Sequence, residues 1–189
     1  MSKIKQLLEL ENECSSCKKC PLRAETKQVV FGEGNFDTPI MLVGEAPGAE
    51  EDKAGRPFVG KAGQLLDRIL DACHTSKSEV YITNVVKCRP PQNRTPINNE
   101  INCCLPYLKK QIEIIDPKII VCLGNTAARA LINPNFMITR DREIAKKVNG
   151  RLVIPTFHPA ALLRDPQKKI LAWEDFKLVF KIAGKGELD

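Results

Sequence analysis

The chain has 189 residues, 43% of them hydrophobic, and a formal net charge of +6 from 29 Lys and Arg against 23 Asp and Glu. That length sustains one well-buried domain and does not call for two. Met1-Ser-Lys-Ile-Lys-Gln lacks the apolar core of a signal peptide, and no apolar run approaches the ~20 residues that span a bilayer, so a soluble, cytoplasmic protein is expected.

Ile4, Leu7, Leu8 and Leu10 predict a short amphipathic helix leading into Cys14-Ser-Ser-Cys-Lys-Lys-Cys20. Ile40-Met-Leu-Val43, stopped by Gly44, predicts a buried strand, followed by a loop rich in Gly, Pro and acid. Helical spacing over 63–73 precedes a β-rich stretch at 80–86, and Asn98 or Asn99 caps a helix running to about Ile115. Lys118–Leu123 reads as a strand, Asn125–Leu131 as a helix and Leu152–Pro155 as a strand. Ile170–Ile182 reads as a closing helix with Trp173, Phe176, Val179 and Phe180 on its apolar side. Parallel neighbours need helical crossovers, so this alternation implies a three-layer α/β/α sandwich around a mainly parallel, four-stranded central sheet.

In such folds ligands bind beyond the carboxyl ends of the strands. Here those ends carry Gly44-Glu-Ala-Pro-Gly48, Asn84, Gly124-Asn125 and Thr156-Phe-His-Pro-Ala160, so an acid, an amide and a histidine could converge on one cleft. The blocks Gly44–Gly48, Gly55-Arg-Pro-Phe-Val-Gly-Lys-Ala-Gly63, Thr83-Asn-Val-Val-Lys-Cys-Arg-Pro-Pro91 and Phe157-His-Pro-Ala-Ala-Leu-Leu-Arg-Asp-Pro166 resemble the signature blocks of the family 4 uracil-DNA glycosylases. The resemblance runs in order from Cys17 to Pro166. It implies a DNA-repair enzyme that flips uracil out of DNA and hydrolyses its N-glycosidic bond.

The chemistry of the residues fits that implication. An Asn84 amide can accept from uracil N3–H and donate to O4, whereas cytosine reverses both groups and leaves buried polar atoms unpaired. Phe58 offers a face on which a flipped base can stack. His158, donating to uracil O2, would stabilise charge on the departing base. By the resemblance, the Gly44-Glu45-Ala46 backbone lines the uracil pocket. Ala46 stands where the best-known branch of the superfamily has a water-activating aspartate, which leaves Glu45 as the nearest carboxylate, ahead of Glu50, Glu51 and Asp52. Leu162 and Leu163 suit a wedge that fills the vacated stack, and Arg164 suits a phosphate contact. Arg56, Lys61, Arg89 and Arg94 are further phosphate candidates. His74 matches no block and is expected at the surface.

Eight cysteines in a chain without an export signal read as reduced thiols, either metal ligands or core residues. A C-x2-C pair with two distant partners suits tetrahedral zinc or a four-iron cluster, and spacing alone leaves both open. The resemblance implies a [4Fe-4S] cluster held by Cys17, Cys20, Cys88 and Cys104, joining the N-terminal segment to the rest of a single domain over 1–189. Cys14 and Cys103 are then spare, while Cys73 and Cys122 are expected in the core. A non-catalytic Fe-S module binding DNA on the same scaffold is the second reading, disfavoured by the full set Glu45, Phe58, Asn84 and His158. A third, covalent attachment to DNA through a loop histidine, is disfavoured because Cys88–Pro96 contains none. The expected partner is uracil-containing DNA, bound by a monomer.

Overall fold

Short runs of aliphatic and β-branched residues, bounded by Gly, Pro or polar turns, form the strands at the centre of the sheet. A computed structural model describes residues 2–142 and 145–184. The strands are β1 (Glu33–Gly34), β2 (Ile40–Gly44), β3 (Tyr81–Asn84), β4 (Ile119–Leu123), β5 (Lys146–Val148) and β6 (Arg151–Thr156). The helices are α1 (Lys3–Ser15), α2 (Leu22–Glu25), α3 (Ala49–Ala54), α4 (Lys61–Ala72), α5 (Asn98–Ile115), α6 (Asn125–Leu131), α7 (Ile138–Asp141), α8 (Pro159–Arg164) and α9 (Lys168–Ile182).

The sheet runs β1-β3-β2-β4-β6-β5. Its inner four strands are mutually parallel, and β1 and β5 are added antiparallel at the two edges. The four-stranded expectation is therefore corrected to six strands. At two and three residues the edge strands are too short to show a period-2 pattern. The β5–β6 turn did carry a signal in Asn149-Gly150: both have positive φ, 48° and 81°, as a tight two-residue hairpin turn requires.

Residues alternate faces along each inner strand, and both faces are buried, which is why β2 and β4 read as nearly unbroken apolar runs. Met41, Val43, Ile120, Cys122 and Val153 pack with Leu10, Leu108, Ile112 and Ala127 of α1, α5 and α6. Ile40, Leu42, Ile82, Val121 and Ile154 pack with Leu66, Leu70, Phe176 and Phe180 of α4 and α9. Parallel registry then places the functional ends together. Gly44 pairs with Asn84, Val43 with Cys122 and Leu123 with Thr156, so four strand ends open onto one edge.

Candidate active site and thiol cavity

A cavity of about 340 Å³ lies at that edge, and Glu45, Ala46, Phe58, Asn84, His158 and Arg164 are among the residues lining it. Six of the expected site residues thus meet in one place, and Gly44 lies beneath them. A Cβ on Gly44 would stand 2.3 Å from Asn84 Oδ1 and 2.8 Å from Phe58 Cζ, so no larger residue fits without displacing one of them. Asn84 is only 2% exposed, and its Oδ1 has no hydrogen-bond partner among the described residues. A buried acceptor left unpaired costs about 1–3 kcal/mol, which a ligand N–H would recover.

His158 caps α8, and its Nδ1 accepts a hydrogen bond from the Ala160 N–H at 3.1 Å. The proton of the neutral ring therefore sits on Nε2, which makes that nitrogen a donor. Burial pushes the His158 pKa down to about 4, the Arg164 charge acts in the same direction, and Glu51 partly opposes them. The imidazole is neutral at physiological pH and can donate without being an acid. Its ring stacks on Phe58, with centroids 5.6 Å apart and planes 29° from parallel.

Phe58 adopts a φ of 54°, which is uncommon for a non-glycine residue, and its surroundings hold it there. Lys77 Nζ donates to the Phe58 carbonyl at 2.6 Å, and Glu51 Oε1 accepts from the N–H groups of Val59 and Gly60 at 2.9 and 2.8 Å. The other Glu51 oxygen accepts from the Gly48 N–H at 3.1 Å, tying both loops of the cavity together. Gly63 lies so close beneath that a Cβ would fall 1.7 Å from the Phe58 carbonyl oxygen.

Those bonds remove Glu51 as a water-activating base. Asp52 is buried, accepting from the Lys27 and Gln28 N–H groups, and Glu50 pairs with Lys53 at the surface. Glu45 remains. One of its carboxylate oxygens accepts from the Thr126 hydroxyl on α6, and the other has no protein partner among the described residues. Asn125, by contrast, accepts from the Ile138 N–H and holds α7 in place. Sequence reasoning named Glu51 only as a weaker candidate carboxylate, not as the tie between these loops, and missed Lys77 and Thr126. Gly48-x-x-Glu51 is a legible capping pattern, whereas Lys77 and Thr126 act across 19 and 81 residues and leave no local trace.

The DNA-facing candidates separate. Leu162 is 1% exposed in the core, a correction to its expected place beside Leu163, which is 41% exposed. One turn of α8 cannot present two consecutive residues to the same side. Arg164 and Lys61 are exposed, Arg56 makes a bidentate pair with Glu33, and Arg94 does the same with buried Glu100. Arg89 donates to Asn93 Oδ1. His74 is exposed, as expected.

A second cavity is lined by Cys14, Cys17, Cys20, Cys88, Cys103 and Cys104, together with Lys87. All four expected ligands are there, and both spares are too. Burial raises the Cys14 and Cys88 pKa values to about 12, and those of Cys20 and Cys104 rise for the same reason. The Lys87 N–H donates to Cys104 Sγ at 3.3 Å and the Lys19 N–H to Cys17 Sγ at 3.5 Å. Among the described residues, no three Cys, His, Asp or Glu side chains are arranged to hold a single metal ion. The soft-donor set nonetheless fits a thiolate-bound metal group. Cys73 and Cys122 are buried in the core, away from this cavity.

A family profile described as the uracil DNA glycosylase superfamily matches residues 31–177. The chain is 48% identical to a Type-4 uracil-DNA glycosylase of Thermotoga maritima over 87% of this chain and 88% of that protein. It is 44% identical to a Type-4 uracil-DNA glycosylase of Pyrobaculum aerophilum over 92% and 93%, and 39% identical to one of Archaeoglobus fulgidus over 96% of each.

Proposed function

The chain belongs to the uracil DNA glycosylase superfamily, and on that premise we propose that it excises uracil from DNA and that the strand-end cavity is where it does so. The unpartnered Asn84 Oδ1 beside the Nε2–H of His158 carries the assignment of the site. A flipped uracil stacks on Phe58, gives its N3–H to Asn84 Oδ1 and accepts at O4 from the same amide. His158 donates to O2. As the N1–C1′ bond breaks, its electron pair passes into the uracil ring, and the donor on O2 is worth most when that charge has developed. Water then bonds to C1′ of the sugar cation and gives a proton to Glu45, whose position Thr126 fixes. The departed anion takes up a proton from solvent as Glu45 gives its proton back, leaving free uracil and an abasic site.

Extrusion costs a few kcal/mol of unstacking. Leu163 fills the gap from its exposed place on α8, and Arg164 beside the cavity contacts phosphate. Cys17, Cys20, Cys88 and Cys104 would hold the [4Fe-4S] cluster that the resemblance implies. It would link the segment between α1 and α2, the segment after β3 and α5 structurally, and no step of the reaction passes through it. The enzyme acts as a monomer inside the cell. No helix among the described residues is long and apolar enough to cross a membrane.

The test is incubation with single- and double-stranded oligonucleotides carrying one uracil, followed by alkaline cleavage of abasic sites. Wild-type protein should cut at uracil, and Glu45→Gln should slow the single-turnover rate. A wild-type rate in that variant would remove Glu45 from the mechanism.

A further inference from the structure

Lys87 is a lysine with 0% exposure. Its ammonium has three donors, and each has an acceptor: Thr83 Oγ1 at 2.5 Å, Gln111 Oε1 at 2.6 Å and the Asn84 carbonyl at 2.7 Å. All three acceptors are neutral. The network continues through neutral groups, because Gln111 donates to Tyr81 Oη and the Phe31 carbonyl, and Thr83 donates to that carbonyl as well. Among the described residues no carboxylate pairs with Lys87. The ionisable groups that act on it are the thiols of Cys104 on α5 and Cys14 on α1. Its own N–H donates to Cys104 Sγ, and the next residue is Cys88.

A buried cation without an anion is strongly disfavoured, and hydrogen bonds to neutral oxygens do not cancel its charge. Among the described residues, the groups acting on it that can become anionic are cysteines, which lose their protons on binding metal. We propose that Lys87 is the built-in counter-charge of the thiol cavity, placed so that its ammonium offsets the negative charge of the metal-thiolate group. The same ammonium holds the carbonyl of Asn84, so one side chain joins the metal site to the residue that reads the base. This proposal rests on the cavity holding the iron-sulfur cluster.

The test compares wild type, Lys87→Met and Lys87→Gln after anaerobic iron reconstitution. Each is challenged with a chelator while visible absorption and iron content are followed. Both variants should release iron faster, on the order of tenfold or more, since removing one partner strands the other's charge. Each should also lower the Tm of the iron-loaded protein more than that of the metal-free protein. Gln keeps an N–H donor without the charge, so iron retention equal to wild type in Lys87→Gln would overturn the proposal in favour of hydrogen bonding alone. Equal Tm losses with and without iron would overturn it too. If Lys87→Met does not fold, Lys87→Gln carries the comparison. Wild-type protein that takes up no iron would remove the cluster and this proposal together, whereas iron-loaded variants indistinguishable from wild type would remove the counter-charge alone.

Discussion

In the strand-end cavity most loop groups are tied down by hydrogen bonds within the protein, and the buried acceptor Asn84 Oδ1 has no partner among the described residues. The thiol cavity, by contrast, is lined by six cysteines with few hydrogen bonds and by Lys87, a buried lysine with no carboxylate partner among the described residues. The first is organised by hydrogen bonds and is close to complete as it stands. The second is incomplete in charge. Only Val85, Val86 and Lys87 separate Asn84 from Cys88 along the chain, so substitutions on either side test whether the cavities have distinct roles.

The largest effect is expected at the leaving-group donor. His158→Ala should lower the single-turnover rate by about 10²–10³, the usual loss for one oxyanion donor, with little change in iron content. Because the ring is neutral above about pH 4, the His158 contribution should stay constant from pH 6 to 8. A histidine required as a cation would instead lose rate as pH rose through about 6.5. The linked stability has the opposite sense to a salt-bridged histidine. The folded state binds fewer protons there, so stability should fall as pH drops from about 6.5 toward 4.

Cysteine substitutions sharpen the contrast from the other side. Cys20→Ala should abolish most iron binding, and Cys14→Ala should leave iron content unchanged. The reverse result would shift the ligand register by three residues. Smaller still, the neighbouring leucines should divide along function and packing. Leu163→Ala should reduce excision several-fold from double-stranded DNA and little from single-stranded DNA. Leu162→Ala should cost about 2–5 kcal/mol of stability, read from denaturant unfolding.

The inner strands were legible because β2 and β4 are apolar runs buried on both faces and β3 and β6 are rich in β-branched residues, and Gly44, Asn84 and His158 because each sits at or just past a strand end. What stayed hidden depends on partners far away in the chain. Nothing local to Thr126 indicates Glu45, nothing local to Arg56 indicates Glu33, and the choice between Leu162 and Leu163 depends on how α8 is turned against the core. Glu51 illustrates the intermediate case. Its bond to Gly48 is a local cap, but its bonds to Val59 and Gly60 are what hold the Phe58 loop at the cavity.

The central claim is that Asn84 reads uracil through its unpaired acceptor, and the most direct measurement is single-turnover excision from oligonucleotides carrying uracil or cytosine at the same position. Wild type should cut only at uracil, and Asn84→Ala should lose on the order of tenfold or more of that rate while keeping its iron and its fold. An Asn84→Ala protein that excises uracil at the wild-type rate, or a wild type that excises cytosine equally well, would contradict it.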